Sequence, residues 1–111
     1  MKNESLTVKT NERGTITYRN ANGQLHNPDG PAIVWADGGK EYWINDQLHN
    51  PNGPAIVYAD GYKEHYINDQ LHNPNGPAIV YADGKKWYYI NDKELSEAEF
   101  KAWQAEKTIK N

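Results

Sequence analysis

The stretch "QLHNPDGPAIVWADGGKEYWIND", residues 24–46, decides the fold of this chain. Two near-copies follow it directly, "QLHNPNGPAIVYADGYKEHYIND" over residues 47–69 and "QLHNPNGPAIVYADGKKWYYIND" over residues 70–92. Self-similarity at a fixed period indicates a repeat architecture, in which each unit is stabilised by packing on its neighbours. Three copies of 23 residues in a chain of 111 therefore predict a short array.

Each copy contains two strand-like runs separated by Asp-Gly, as in "PAIVWA" and "KEYWIN" around Asp37-Gly38. Asp-Gly between apolar runs favours a two-residue hairpin loop of type I′, because both residues of that turn need positive φ. The remaining segments are rich in Asn, Asp, Pro and Gly, including Asn45-Asp46 and its copies, and predict turns and loops. One hairpin is marginal in water, so the three hairpins are expected to stack.

The Asp-Gly turn also predicts how the strands pair. If Asp-Gly forms the whole turn, Trp35 opposes Lys40 on the face that also carries Ile33 and Tyr42. Exposed aromatic and basic side chains in a row are typical of protein-binding hot spots, although such a row can also simply shield a sheet. With the variable position after the turn included, we expect partner binding by Trp35, Lys40, Tyr42, Tyr58, Tyr62, Lys63, His65, Tyr81, Lys86 and Tyr88.

The two ends of the chain differ from the repeats, as the ends of an array should. Residues 1–23 predict a degenerate N-terminal hairpin with turns near residues 11–14 and 20–23. Residues 93–111 predict a helix and tail, in which Ser96 and Glu99 have the spacing of a capping box. Phe100 and Trp103 share one helical face and are expected to cover the last repeat. The predicted fold is mainly β, a single domain of stacked antiparallel hairpins with a C-terminal capping α-helix.

Charge and composition limit the function. Residues 24–92 hold four lysines and nine acidic residues, a net charge of −5, which disfavours direct nucleic-acid binding. The chain has no cysteine, and neither an apolar leader nor a membrane span is visible, so we expect a cytoplasmic protein. His26, His49 and His72 recur once per copy and are expected to fix backbone carbonyls, not a metal. Because nearly every residue is written three times, we expect no catalytic residues and no cofactor.

The repeat resembles a known pattern. A 23-residue hairpin unit with Asp-Gly at the turn, aromatic residues in the second strand and a following histidine is similar to the MORN repeat. The similarity is greater to a divergent form in which Leu-His precedes a loop and [DN]GPA, as in "LHNPDGPA" at residues 25–32. The ending "KELSEAEF", residues 93–100, also matches this form. The resemblance covers about residues 15–103 and implies a small protein of phages, prophages or large DNA viruses.

Three hypotheses follow for the function. The first is a non-catalytic phage-type protein that binds and inhibits a host protein, such as a component of bacterial immunity; an anti-CRISPR protein is one example. The second is a self-assembling structural protein, with the N-terminal hairpin edge forming a homodimer or larger assembly. The third is a protein that sequesters a nucleotide or other small ligand between hairpins. We expect no membrane partner, because no cluster of basic residues is available to anionic lipids.

Overall fold

The computed structural model describes residues 5–109, so residues 1–4 and 110–111 of the predicted terminal segments lie outside the described residues. The described residues form thirteen β-strands and one α-helix. Their bounds are β1 Thr7–Thr10, β2 Ile16–Arg19, β3 Ile33–Val34, β4 Lys40–Glu41, β5 Trp43–Ile44, β6 Gln47–Leu48, β7 Ile56–Val57, β8 Lys63–Glu64, β9 Tyr66–Ile67, β10 Gln70–Leu71, β11 Ile79–Val80, β12 Lys86–Ile90, β13 Lys93–Leu95 and α1 Glu97–Ile109.

Most of the strands belong to one antiparallel sheet. Its order is β1-β2-β3-β4-β7-β8-β11-β12-β13, while the hairpins β5–β6 and β9–β10 form separate two-stranded sheets. The molecule is a thin slab with extents of 46 × 36 × 18 Å. The predicted fold class, a mainly β array of antiparallel hairpins ending in a helix, is confirmed.

The Asp-Gly turns have a different geometry from the predicted type I′. Gly38 N–H donates to the Trp35 carbonyl at 2.9 Å, and Trp35 N–H donates to the Gly39 carbonyl at 2.8 Å. The loop therefore has three residues, and only its last one, Gly38, takes a positive φ, of 98°. This is a type I turn followed by a glycine bulge. Asp37 stabilises it by accepting the Gly39 N–H at 2.9 Å.

The longer loop shifts the strand register by one residue from the prediction. Ile33 pairs with Glu41 and Val34 pairs with Lys40. The predicted pairing of Trp35 with Lys40 is therefore wrong. Because side chains alternate across a strand, a shift of one residue moves the whole second strand to the other face. Both other copies have the same register.

The type I′ turns occur instead at the Asn-Asp pairs. Asn45 and Asp46 have φ of 47° and 68° and connect β5 to β6 directly. Both central residues of a two-residue hairpin loop are thus in the left-handed region, which defines type I′. Asparagine and aspartate tolerate this region better than other residues with a side chain. The same pairs at residues 68–69 and 91–92 repeat the turn with nearly identical angles.

We call the separate two-stranded hairpins β5–β6 and β9–β10 the side hairpins. Successive side hairpins are connected by hydrogen bonds that recur along the array. Asp69 N–H donates to the Leu48 carbonyl at 2.8 Å, and Leu48 N–H donates back to Asp69 Oδ1 at 3.1 Å. Next to this pair, Asn68 N–H donates to His49 Nδ1 at 3.0 Å. In the equivalent bonds, Asn45 N–H donates to His26 Nδ1 and Asn91 N–H donates to His72 Nδ1. The histidines therefore bind backbone N–H groups of the next hairpin through Nδ1, where the prediction named backbone carbonyls.

The N-terminal hairpin extends the array by one degenerate unit. Strand β2 pairs with β1 on one side and with β3 on the other. Its first turn repeats the three-residue geometry, because Asn11 N–H donates to the Thr15 carbonyl at 3.0 Å and Gly14 has φ of 95°. Its second turn ends at Gly23 with φ of 81°. The predicted hairpin and both predicted turns are confirmed.

The C-terminal helix begins with the predicted capping box. Ser96 N–H donates to Glu99 Oε1 at 2.8 Å, and Glu99 N–H donates to Ser96 Oγ at 3.1 Å. Phe100 is 3% exposed, and its ring centroid lies 4.8 Å from that of Tyr88 and 6.1 Å from that of Trp103. The helix therefore covers the last repeat as predicted, on the side of Tyr88.

Candidate functional site

One face of the sheet carries a row of exposed aromatic rings. Trp35, Tyr58 and Tyr81 occupy equivalent positions after the first strand of each copy and are 39%, 43% and 42% exposed. Trp87 in the third copy is 42% exposed and pairs with Ile79 on the same face. The half-buried ring of Tyr62 lies beside these four rings. We call the five together the aromatic face: Trp35, Tyr58, Tyr62, Tyr81 and Trp87.

A buried carboxylate supports the aromatic face in the first copy. Glu41 is only 9% exposed and lies across from Ile33. Trp35 Nε1–H donates to one of its oxygens at 3.1 Å, and Trp43 Nε1–H donates to the other at 2.9 Å. A buried charge needs such donors. Glu41 therefore holds the Trp35 indole in a defined orientation on the sheet.

Glu64 takes the same place in the second copy, with phenols in place of indoles. The hydroxyl groups of Tyr62 and Tyr66 both donate to the Glu64 carboxylate. Burial raises the pKa of Tyr62 and of Tyr66 well above the usual value, and the hydrogen bond to Glu64 raises both further. Both phenols therefore remain protonated donors near neutral pH. The two hydroxyl groups hold the Glu64 carboxylate in place beneath the rings.

The tyrosines of the second and third copies enclose a groove. The Tyr58 and Tyr62 rings stack with centroids 5.5 Å apart, and the Tyr62 and Tyr81 rings meet edge-on at 5.2 Å. The groove has a volume of about 530 Å³. We call it the tyrosine groove; it is lined by Tyr58, Asp60, Tyr62, Glu64, Tyr81, Ala82 and Asp83.

The tyrosine groove depends on a departure from the repeat. Tyr62 stands where the first copy has Gly39 and the third has Lys85. A Cβ at Gly39 would lie 3.1 Å from the Val57 carbonyl oxygen and 3.4 Å from the Trp35 ring, so the first copy has little room for a side chain there. One wall of the groove, the Tyr62 ring, therefore comes from a position that the repeat does not conserve between its own copies.

The residues that we predicted to bind a partner divide between the two faces. Trp35, Tyr58, Tyr62 and Tyr81 belong to the aromatic face. The register places the remaining six on the opposite side of the sheet, which we call the lysine face: Lys40, Tyr42, Lys63, His65, Lys86 and Tyr88. The prediction of one shared face with lysine–aromatic pairs is therefore wrong. The prediction also missed Glu41, Glu64 and Trp87. If the register had been counted from a three-residue turn, these residues would have been placed beside the aromatic rings.

His65 is half-buried on the lysine face. It replaces the tyrosine of the other copies, and its Nδ1 lies 3.4 Å from the Ala78 carbonyl oxygen. Burial lowers the pKa of His65 below its usual 6.5; the hydrogen bond to the Ala78 carbonyl partly offsets this, and the nearby positive charge of Lys63 adds a smaller lowering. The neutral imidazole is therefore the form that the fold prefers.

We expect His65 to make the protein less stable in acid. Above about pH 6.5 the imidazole is neutral in both the folded and the unfolded chain, and the fold keeps its full stability. As the pH falls below that value, unfolded His65 takes up a proton more readily than folded His65, so the free energy of unfolding decreases. His65→Tyr restores the residue found at Tyr42 and Tyr88 and should reduce this decrease between about pH 7 and about pH 5. Urea titrations at several pH values measure it; identical profiles would contradict the assignment.

Residues 5–109 contain neither a metal-binding cluster nor a membrane-spanning helix. In that part of the chain, no group of three or more His, Cys, Asp or Glu side chains is placed to hold a metal ion. Within the same residues, no helix has both the length and the apolar character that crossing a membrane requires.

No protein-family model, curated protein or solved structure matches the chain. The similarity to MORN-like units therefore stays a prediction from the residues of the repeat.

Proposed function

We propose that this protein is a non-catalytic binding module that captures a partner protein on the aromatic face. The observation that carries the proposal is the row of large rings left 39–43% exposed on one side of the sheet. Glu41 holds the Trp35 ring, and Glu64 holds the Tyr62 ring, against which the rings of Tyr58 and Tyr81 pack, so little side-chain entropy is lost on binding. Tyrosine and tryptophan are the residues most enriched in binding hot spots.

We further propose that the partner is a host protein and that binding inhibits it, in the cytoplasm of an infected bacterium. The support is the similarity of the repeat to units of phage and prophage proteins. A component of bacterial immunity, such as a CRISPR effector, is the most concrete partner of this kind. The carboxylates at the tyrosine groove disfavour the alternative of nucleotide sequestration, because they repel phosphate.

The double substitution Tyr58→Ala/Tyr81→Ala should abolish partner capture. It removes two exposed rings from the centre of the aromatic face, where hot spots contribute about 2 kcal/mol or more each, so affinity should fall by at least about 100-fold. The melting temperature should change by no more than about 5 °C, because both side chains are over two-fifths exposed. Capture from a bacterial lysate, with the binding constant then measured on the purified partner, tests the first expectation, and thermal unfolding followed by circular dichroism tests the second.

Lys63→Ala/Lys86→Ala is the matched control for the lysine face. Both lysines are exposed, and each pairs with the valine of its own copy. Capture should survive this change. If the lysine variant loses the partner and the tyrosine variant keeps it, the binding face is the opposite one.

Self-assembly is a second candidate, because among residues 5–109 strand β1 has a paired strand on one side only. All four residues of this strand are exposed, and Val8 is 53% exposed. An exposed edge strand can pair with another chain. Light scattering over a concentration series separates the two functions, since a chain that stays monomeric at high concentration does not assemble through this edge.

A further inference from the structure

We propose that the tyrosine groove receives an arginine side chain of the partner protein. This inference rests on the proposed function and adds the chemistry of the residue that is recognised. It depends on three properties of the groove: flat aromatic walls, a negative rim and a fixed negative charge beneath the rings.

The walls suit a planar cation. The stacked rings of Tyr58 and Tyr62 and the edge-on ring of Tyr81 provide π faces over a short distance. The negative face of an aromatic ring attracts a cation within about 6 Å of its centroid, and arginine makes this contact more often than lysine. A guanidinium group is flat and weakly hydrated, so it can stack on a ring with little loss of solvation.

The rim supplies two carboxylates in fixed positions. Asp60 Oδ1 accepts the Tyr62 N–H at 3.0 Å, and Asp83 Oδ1 accepts the Lys85 N–H at 3.0 Å. These two bonds orient both carboxylates and use only their Oδ1 atoms. The Oδ2 atoms take no part in the two bonds. A guanidinium group has five N–H donors and forms paired bonds with carboxylates, which a lysine ammonium cannot do in the same geometry.

A third carboxylate, that of Glu64, lies beneath the rings and adds to the two carboxylates of the rim. Glu64 lines the groove, and its carboxylate accepts hydrogen bonds from the hydroxyl groups of Tyr62 and Tyr66. The pKa of Tyr58 is raised by burial first and then by the negative charges of Glu41 and Glu64. Lys63 and Lys86 lie on the lysine face, and the Lys85 side chain is not part of the groove lining. The groove therefore combines π faces with a net negative field, which favours a cation and disfavours an anion.

The size of the groove fits one side chain together with part of its backbone. Its volume of about 530 Å³ lies within the range of small-molecule sites, roughly 300–1,000 Å³. The groove is open along the sheet, so an extended segment can cross it and insert a single long side chain.

The test uses the full-length protein and a capped fluorescent peptide of alternating glycine and arginine. Fluorescence polarisation compares it with a peptide in which citrulline replaces arginine, which keeps the shape and removes the charge. A lysine version tests the planar geometry. We expect the arginine peptide to bind about tenfold more tightly than the citrulline peptide, and more tightly than the lysine peptide. Equal binding of arginine and citrulline peptides would overturn the proposal, as would tighter binding of lysine.

Two matched double variants test the location. Asp60→Asn/Asp83→Asn removes two charges from the rim while an amide oxygen keeps the turn bonds, and it should weaken the arginine peptide by about tenfold. Asp29→Asn/Asp37→Asn removes the same charge outside the groove and should leave the affinity within about twofold. Circular dichroism checks that each variant keeps the wild-type spectrum and melting temperature. Equal weakening by both variants would show non-specific attraction to an acidic chain and overturn the proposal.

The outcomes separate this inference from the proposed function. If the arginine peptide fails to bind while partner capture still depends on Tyr58 and Tyr81, the arginine inference is wrong and the binding face stands. If the rim variant loses the peptide while partner capture does not depend on those tyrosines, the groove recognises arginine but the proposed function is wrong.

Discussion

Phe100→Ala is expected to lower the free energy of unfolding by about 3–5 kcal/mol. Phe100 is the one buried apolar side chain of α1 among the residues whose burial is described, at 3% exposure. Its ring packs 4.8 Å from the Tyr88 ring, on the last long strand of the sheet. Removing it leaves a cavity between helix and sheet, and the array loses the cover of its final unit. Urea denaturation followed by circular dichroism measures the loss.

Lys101→Ala is the control for this prediction, because it changes the next residue of the same helix. The Lys101 side chain is 71% exposed, and its Nζ forms an ion pair with Glu97 Oε2 at 3.4 Å. An exposed pair of this spacing contributes about 0.3–0.5 kcal/mol. A loss below about 1 kcal/mol for Phe100→Ala would mean that the helix is not an integral cap of the array.

Local signals in the sequence were sufficient for the elements at the two ends. The Ser96–Glu99 capping box is a short-range pattern, and the structure forms both of its hydrogen bonds. The turns ending at Gly14 and Gly23 are also local, because a glycine is needed at each positive φ. The period of 23 residues predicted the array itself, since a repeated unit that cannot bury its apolar face alone stacks on its neighbours.

The register could not be settled by the same signals. Asp-Gly suits a two-residue type I′ loop, and it also suits the last two positions of a three-residue loop, where aspartate binds the backbone and glycine takes the positive φ. The two choices differ by one residue, and that difference exchanges the faces of the second strand. Alternation of polar and apolar residues did not decide between them, because neither face is plainly polar. A buried glutamate between two tryptophans, as at Glu41, would have been assigned to solvent from its residue type alone.

The isolated middle copy, residues 47–69, is expected to be unfolded in water. Within the whole chain its strand β7 pairs with β4, its strand β8 pairs with β11, and β9 pairs with β10. All three partners lie outside residues 47–69, so the isolated peptide keeps only one strand pairing, that of β7 with β8, together with the bonds that join Leu48 to Asp69 and His49 to Asn68. Ordering the backbone costs roughly 1–2 kcal/mol per residue, and one small hairpin cannot offset that. Circular dichroism and proton chemical-shift dispersion of the synthetic peptide measure the outcome.

Deleting the same residues from the whole chain should give the opposite result. The deletion joins Asp46 to Gln70 and rebuilds the sequence of the repeat at the junction. Strand β4 then meets Ile79 and Val80 in place of Ile56 and Val57, so each lost backbone partner is replaced by an identical residue. We expect a folded chain that is less stable by about 1–3 kcal/mol, from about 0.05–0.15 kcal/mol per residue. Its denaturant m-value should be smaller by about a fifth.

The pair of experiments separates a cooperative array from a row of independent hairpins. In a one-dimensional array the stability resides in the interfaces between units, so one unit alone fails while a shortened row survives. The shortened chain lacks Tyr58 and Tyr62 and with them the tyrosine groove, so it should also lose the arginine peptide while remaining folded. A stably folded single copy, or a deletion chain that unfolds, would show that the pairings of β4 with β7 and of β8 with β11 are not what holds the array together.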